Sequence, residues 1–243
     1  MKFIFNTLRL CWRIWFYLWM LIVILLLFPL LLLTTAREKW YPRFYQLARI
    51  WATAMIYGMG FYPKLKFDSL FEKGKSYVLT ANHTSMMDIM MMLYLSKNPF
   101  VFVGKKELAK LPIFGFFYKR TCILVDRSDP ESRRAVFEAS NKRIKTGLSI
   151  CIFPEGGIPD DENIMLDEFK DGAFRLAIEH QIPIIPITFQ SNKKRFPYTV
   201  FRGSPGVLKA KINSPISTEG ILLQQKRELK NKIRNIILSD LQT

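Results

Sequence analysis

Tyr77-Val78-Leu79-Thr80-Ala81-Asn82-His83-Thr84-Ser85-Met86-Met87-Asp88-Ile89-Met90-Met91-Met92-Leu93-Tyr94-Leu95 is the stretch on which the fold turns. Its first five residues form a short apolar run of the kind that makes a buried strand, and Ser85–Leu95 reads as a helix. Asn82-His83-Thr84 stands between them, where a strand ends and a helix begins. The same alternation continues along the chain. Candidate strands are Phe100–Val103, Cys122–Val125, Ser149–Phe153, Ile184–Phe189 and Val207–Ile212, and candidate helices are Pro130–Lys145 and Leu166–His180. The helix at 130 is the best punctuated, with Asp129 as N-cap, Pro130 in the first turn and Gly147 beyond its end. Strand–helix alternation predicts an α/β protein, a mixed and largely parallel sheet flanked by helices. A last helix is expected within Glu219–Leu241, with Leu222, Leu229, Ile233, Ile236, Ile237 and Leu241 on one face and Lys and Arg on the other.

Upstream of this alternation the chain is different. Ile14 to Ala36 carries no charge. That run reaches the ~20 residues needed to cross a hydrocarbon core and exceeds the ~7–15 of a signal-peptide core. Thr34-Thr35-Ala36 only faintly resembles a cleavage site, so an uncleaved anchor is expected. Trp12, Trp15 and Trp19 on one side and Trp40 and Tyr41 on the other suit two interfacial belts. Both flanks are basic (Lys2, Arg9, Arg13; Arg37, Lys39, Arg43, Arg49), so charge does not choose an orientation. A hairpin, with Pro29 kinking the first helix and Pro42 starting a second from about Arg43 to Tyr57, would put both flanks on one face. The expected division is a membrane anchor of one or two helices, single-pass or hairpin, over 1–60 and an α/β domain over 61–243.

The chain has 243 residues, a formal net charge of +16, 49% hydrophobic residues, 3 cysteines and 2 histidines. The hydrophobic fraction excludes a disordered chain. The charge calls for an anionic partner: nucleic acid, a phosphate-bearing substrate or a membrane surface. Cys11, Cys122 and Cys151 lack metal-like spacing and give no disulfide framework, which fits a reducing compartment. Any imidazole base is His83 or His180. His180 ends a helix and reads as its C-terminal cap.

With Thr84 as N-cap, His83 is N′ and Asp88 is N4, positions whose side chains meet across the first turn. The carboxylate can then fix one ring nitrogen and leave the other as a general base. A capped helix with a satisfied histidine explains the same residues, and the local sequence does not separate the two. A serine nucleophile fits less well, because Ser85 lies inside the first turn and no Gly-x-Ser-x-Gly elbow is present. A metal pair lacks a third and fourth ligand at sensible spacing. Met86, Met87, Met90, Met91 and Met92 read as core packing first and as the lining of an apolar channel second.

Asn82-His83-Thr84-Ser85-Met86-Met87-Asp88 resembles the His-x-x-x-x-Asp signature of the glycerolipid acyltransferases, specifically the 1-acyl-sn-glycerol-3-phosphate acyltransferases. Three further blocks are similar to that family and stand in its order. They are Gly104-Lys105-Lys106-Glu107-Leu108 with Leu111-Pro112-Ile113-Phe114-Gly115, running on to Ile123-Leu124-Val125-Asp126-Arg127; then Phe153-Pro154-Glu155-Gly156-Gly157; then Phe169-Lys170-Asp171-Gly172-Ala173-Phe174 with Ile182-Pro183-Ile184-Ile185-Pro186-Ile187. The resemblance covers roughly residues 75–190 and implies a glycerol-3-phosphate acyltransferase-like fold. It implies acyl transfer from a thioester, acyl-CoA or acyl-carrier protein as co-substrate, to the sn-2 hydroxyl of lysophosphatidate, with no resident cofactor and no metal.

In that reading His83 takes the hydroxyl proton, and Asp88 orients and stabilises the imidazolium. Backbone N–H groups of the Glu155-Gly156-Gly157 turn are candidate oxyanion donors. Lys105, Arg127 and Lys170 match the family's phosphate-binding cations. Glu155 either holds the acceptor's free hydroxyl or anchors its loop. Gly157 and Ile158 stand where the family has threonine and a basic residue, with acidic residues 160–162 following, and Thr121 stands in place of a glycine. One phosphate contact is thus missing or moved, to Lys170 or Arg175, and another lysolipid acceptor is the alternative. The expected partners are the bilayer, a lysophospholipid and the acyl donor, with the catalytic domain on the cytosolic face. A membrane-tethered nucleic-acid binder would explain the charge, but no stacked aromatic-basic motif supports it and His83 and Asp88 would have no purpose.

Overall fold

The computed structural model describes residues 2–126, 128–159, 161 and 163–243. Two helices lead the chain, α1 (Lys2–Thr34) and α2 (Tyr41–Gly58). There follow β1 (Phe61–Phe67), β2 (Val78–Ala81), α3 (Met87–Leu95), β3 (Phe100–Lys105), α4 (Phe114–Thr121) and β4 (Ile123–Val125). Then come α5 (Pro130–Lys145), β5 (Ser149–Ile152), α6 (Gly172–His180), β6 (Ile184–Phe189), the short α7 (Asn192–Arg195), β7 (Gly206–Ile212) and α8 (Lys226–Leu241). The seven strands are ordered β1-β7-β6-β2-β5-β3-β4. The pairs β2–β5, β2–β6, β3–β5 and β3–β4 are parallel. The sheet is therefore mixed and mainly parallel, with helices flanking it.

The chain forms two compact units, one of Met1–Lys66, His83–Lys97 and Phe189–Ala210, the other of Phe67–Asn82, Asn98–Thr188 and Lys211–Thr243. In the first, α1 and α2 make an antiparallel hairpin. The indole N–H groups of Trp12, Trp15 and Trp19 donate to the carbonyls of Met59, Gly58 and Ala54 at 3.2, 2.9 and 2.9 Å. Those of Trp12 and Trp15 thus serve the C-terminal end of α2, where carbonyls lack intrahelical partners. The approach is close enough that a Cβ on Gly58 would collide with the Trp19 ring. Among the described residues, α1 is the one helix long and apolar enough to cross a membrane. It runs unbroken through Pro29, and large apolar side chains from Phe3 to Leu33 are exposed along it. From α2, Arg49 Nε donates to the Leu93 carbonyl at 3.2 Å and Tyr45 to the Ser96 carbonyl at 3.1 Å, closing the end of α3. Met87, Met90, Met91 and Met92 pack α3 into the core.

In the second unit β2 is central, and all four of its residues are buried. Val78 stands opposite Ile150 on one side and Ile184 on the other. A strand covered on both faces needs a continuous apolar run, which explains why 78–81 does not alternate. The N-cap of α5 is as the sequence predicts: Asp129 accepts from the N–H groups of Glu131 (3.0 Å) and Ser132 (3.2 Å). Leu229, Ile233 and Ile237 bury one stripe of α8, three consecutive turns of a 3.6-residue period.

Several boundaries differ from the sequence reading. The helix expected from Leu166 starts only at Gly172. The backbone N–H of Asp167 is taken by the Glu155 carboxylate at 2.9 Å and that of Lys170 by the Pro154 carbonyl at 2.7 Å, so 166–171 is held as a loop. The tail is helical from Lys226 after a single 3₁₀ turn at Leu223–Gln225, and Leu222 is exposed instead of lining the apolar face. His180 is not the cap of α6. Gln181, in the left-handed region at φ 50°, ends that helix, and the Ile182 N–H bonds to the Ala177 carbonyl at 3.1 Å. His180 Nε2 is buried without a partner among the described residues, and burial lowers the pKa of the ring. The cysteines make no disulfide, and burial pushes the Cys151 thiol well up, so it is a core residue and not a nucleophile.

Candidate active site

His83 follows the last residue of β2 by two positions, and Asp88 is the second residue of α3. The sequence expectation that a spacing of five brings them together holds: His83 Nδ1 and Asp88 Oδ2 are 3.0 Å apart. The local reason is different. The helix begins at Met87, not after Thr84, and its N-cap residue Met86 makes no side-chain cap bond. Thr84 Oγ1 is buried with no hydrogen-bond partner among the described residues. The carboxylate instead reaches back over the turn. Asp88 Oδ2 accepts from the N–H groups of Thr84 (2.7 Å) and Ser85 (2.8 Å) as well as from the ring. A carboxylate in the first turn is also favoured by the helix dipole.

Asp88 is fully buried, whereas the His83 side chain keeps 18% of its surface. A buried carboxylate survives only when its lone pairs are satisfied. Its fourth donor comes from far along the chain: Asn192 Nδ2 donates to Oδ1 at 2.8 Å. An ionised Asp88 only accepts, which assigns the imidazole proton to Nδ1 and the ring's lone pair to Nε2. Ser85 is not a nucleophile. Its hydroxyl is buried, donating to the Phe196 carbonyl at 2.6 Å and accepting the Met87 N–H at 3.1 Å.

In the second unit, β2, β3, β4 and β5 are parallel neighbours, so their carboxyl ends lie along one sheet edge, the edge where open α/β sheets hold ligands. Lys105 ends β3 opposite Val125 of β4 and is exposed. Arg127 follows β4 and lies outside the described residues. Phe153-Pro154-Glu155-Gly156 follows β5 as a turn closed by the Gly156 N–H to the Phe153 carbonyl at 3.1 Å. Gly156 has φ 85°, a conformation that favours glycine. The Gly156 N–H is thereby engaged within the turn. Gly157 is half-buried beside it.

Glu155 is 4% exposed, and its carboxylate accepts the Asp167 N–H. Of its two sequence readings, anchoring the loop is the one with a visible contact. The same loop is gripped from α8, where Arg234 Nη2 donates to the Leu166 carbonyl at 2.9 Å. Lys170 is exposed on this loop, with its backbone N–H fixed. Arg175 pairs with Glu179 at 2.6 Å along α6. Sequence reasoning missed Asn192, which lies in an Asn-Lys-Lys-Arg run that reads as solvated surface.

The chain is similar to several known proteins. A family model described as Acyltransferase matches residues 64–190. An uncharacterized acyltransferase of Schizosaccharomyces pombe is 32% identical over 170 residues, 68% of this chain and 60% of that protein. The 1-acyl-sn-glycerol-3-phosphate acyltransferase of Saccharomyces cerevisiae is 29% identical over 174 residues, 69% of this chain and 56% of that protein. The chain thus spans about half to three-fifths of the length of such relatives. Among solved structures, the 1-acyl-sn-glycerophosphate acyltransferase PlsC from Thermotoga maritima superposes with a TM-score of 0.78 at 20% identity, covering 100% of this chain and 97% of that one. That likeness establishes the fold.

Proposed function

The chain belongs to the acyltransferase family, and from that premise we propose that it transfers an acyl chain from acyl-CoA or acyl-carrier protein to the sn-2 hydroxyl of lysophosphatidate, giving phosphatidate. The observation that carries the proposal is the 3.0 Å pair of His83 Nδ1 and the fully buried Asp88 carboxylate. It leaves Nε2 as a base and provides a fixed counter-charge for the imidazolium that forms.

The acceptor hydroxyl gives its proton to His83 Nε2 while its oxygen attacks the thioester carbonyl. The carbon–sulfur bond then breaks, and the departing thiolate takes the proton back from the imidazolium, so no acyl-enzyme forms. Donors at the Glu155-Gly156-Gly157 turn meet the oxyanion. Since the Gly156 N–H closes the turn, that of Gly157 is the better candidate. Lys105, Arg127 and Lys170 bind the phosphate, and Glu155 acts indirectly by fixing the loop that carries Lys170. Helix α1 anchors the protein in the bilayer where the lysolipid resides, with the catalytic residues on the cytosolic face.

A second reading keeps the chemistry and changes the acceptor. It is favoured by Gly157-Ile158, which lacks the hydroxyl and the cation the family places there. The test is a panel of lysolipid acceptors assayed with both acyl-CoA and acyl-carrier protein, using the parent and His83→Ala. Lysophosphatidate as preferred acceptor and loss of turnover in a folded His83→Ala are expected. Near-parental turnover in that variant would remove the base, and preference for another headgroup would replace the acceptor.

A further inference from the structure

We propose that Asn192 is the positioning residue that sets the orientation of Asp88 and, through it, the tautomer of His83. The proposal rests on the reading of His83 as the base. Asn192 is fully buried and lies in the same compact unit as the catalytic pair. Its amide N–H donates to Asp88 Oδ1 at 2.8 Å. The other carboxylate oxygen is left with three donors that converge on it: the Thr84 N–H, the Ser85 N–H and the His83 ring. With one donor on Oδ1 and three on Oδ2, the plane of the carboxylate is fixed. Without the amide, nothing described holds Oδ1, and the group is free to turn about its χ2, a broad torsion.

The amide accepts a cost to do this. Asn192 Oδ1 is buried with no partner among the described residues. Such an orphan in a folded protein needs an explanation. Turning the amide over would put Oδ1 against the carboxylate, oxygen against oxygen, so the charge of Asp88 forces the orientation seen.

The segment carrying Asn192 is braced for the purpose. Ser191 Oγ accepts the Lys209 N–H at 2.7 Å, and the Asn192 carbonyl accepts the Phe196 N–H at 2.8 Å. The Phe196 carbonyl takes the Ser85 hydroxyl, a second tie to the catalytic turn. From α1, the buried Arg13 donates through Nη2 to the carbonyls of Pro197, Thr199 and Arg202, and its guanidinium lies 3.9 Å from the Phe196 ring centre. The membrane helix thereby holds the strut that holds the amide.

The test uses the full chain in lipid nanodiscs with His180→Gln as background, so that one imidazole remains. Nitrogen-15 spectra of His83 report its tautomer, and steady-state assays report kcat and KM. The background protein should show the Nδ1–H form. Asn192→Ala should show a mixture of both tautomers, with kcat down about ten- to a hundredfold, the scale of one hydrogen bond to a charged group, and KM unchanged. Asn192→Leu keeps the volume without the donor and stands in where the alanine variant does not fold. Asn192→Asp can donate only when protonated, and it should recover the Nδ1–H form as pH falls. A folded Asn192→Ala or Asn192→Leu with the parental tautomer overturns the proposal, even where kcat has dropped. If His83→Ala retained acyl transfer, the function would fail while the tautomer comparison still judged Asn192.

Discussion

Asp88→Asn separates the charge of the carboxylate proposed to orient His83 from its geometry. The oxygen of the new amide takes the place of Oδ2, where Thr84 N–H, Ser85 N–H and the His83 ring converge at 2.7, 2.8 and 3.0 Å. Its NH₂ then faces Asn192. Asn192 has an unpartnered Oδ1, so by turning its amide over it accepts the new donor. All the contacts survive, and so does the Nδ1–H tautomer. Only the negative charge is lost, and with it the counter-charge for the imidazolium. Charge centres about 4 Å apart in a medium of effective dielectric constant about 20 interact by about 4 kcal/mol, which is a fall in kcat of about 10³. Asp88→Ala behaves differently, because it strips the acceptor from two backbone N–H groups and one amide. Each buried group left unsatisfied costs about 1–3 kcal/mol, so this variant also melts earlier. Thiol release during turnover and thermal melting in the same membrane preparation measure the two effects. Asp88→Asn within threefold of the parental kcat would show that the carboxylate charge does not stabilise the transition state. Asp88→Asn melting as early as Asp88→Ala would refute the amide exchange.

Other outcomes follow from contacts away from the pair. Glu155→Ala removes the acceptor of the Asp167 N–H and should speed hydrogen exchange across 166–170 and raise the acceptor KM, whereas Glu155→Gln, which keeps an oxygen there, should do neither. Asp240 is the hub of a buried network: burial pushes its pKa up, but hydrogen bonds from Asn213, Lys211 and Thr188 outweigh that and hold it below the usual carboxylate value. Its folded value being depressed, its stabilisation is complete above about pH 4–5 and is lost as pH falls through that lowered value. Asp240→Ala should therefore melt well below the parent at pH 7, with the gap closing only in acid. His180 runs the other way for its type, since burial lowers its pKa. Protonation then favours the unfolded chain, and the parent loses stability as pH falls below about 6.5. His180→Gln should match the parent near pH 8, gain on it by pH 5 in melting experiments, and retain acyl transfer.

What could be read in the sequence was what the chain does with near neighbours. The N-cap of α5 lies within three residues of the groups it satisfies, and it was legible to the residue. The closeness of His83 and Asp88 was legible too, although through a carboxylate reaching back and not through a cap at Thr84. Strand β1 carried a visible signal, burial alternating residue by residue, but Pro63 within it marks a boundary to sequence reasoning; the strand is at the edge of the sheet, where proline is tolerated. The start of α4 carried none. It hangs on Ile113 at φ 59°, a region that a β-branched residue has no local reason to enter. The failed helix over 166–171 has the apolar spacing of a helix in Leu166 and Phe169, yet its N–H groups are claimed by Pro154 and Glu155 from another strand end. Asn192 is the extreme case, 104 residues from the carboxylate it holds and embedded among cations. The proposed base and its carboxylate are brought together by a spacing of five residues, and the amide that holds the carboxylate arrives by long-range packing. A search of related sequences by local motif would therefore find the base and miss its support, and a chain with an intact His-x-x-x-x-Asp block but no donor to the Asp Oδ1 should carry a base in the wrong tautomer.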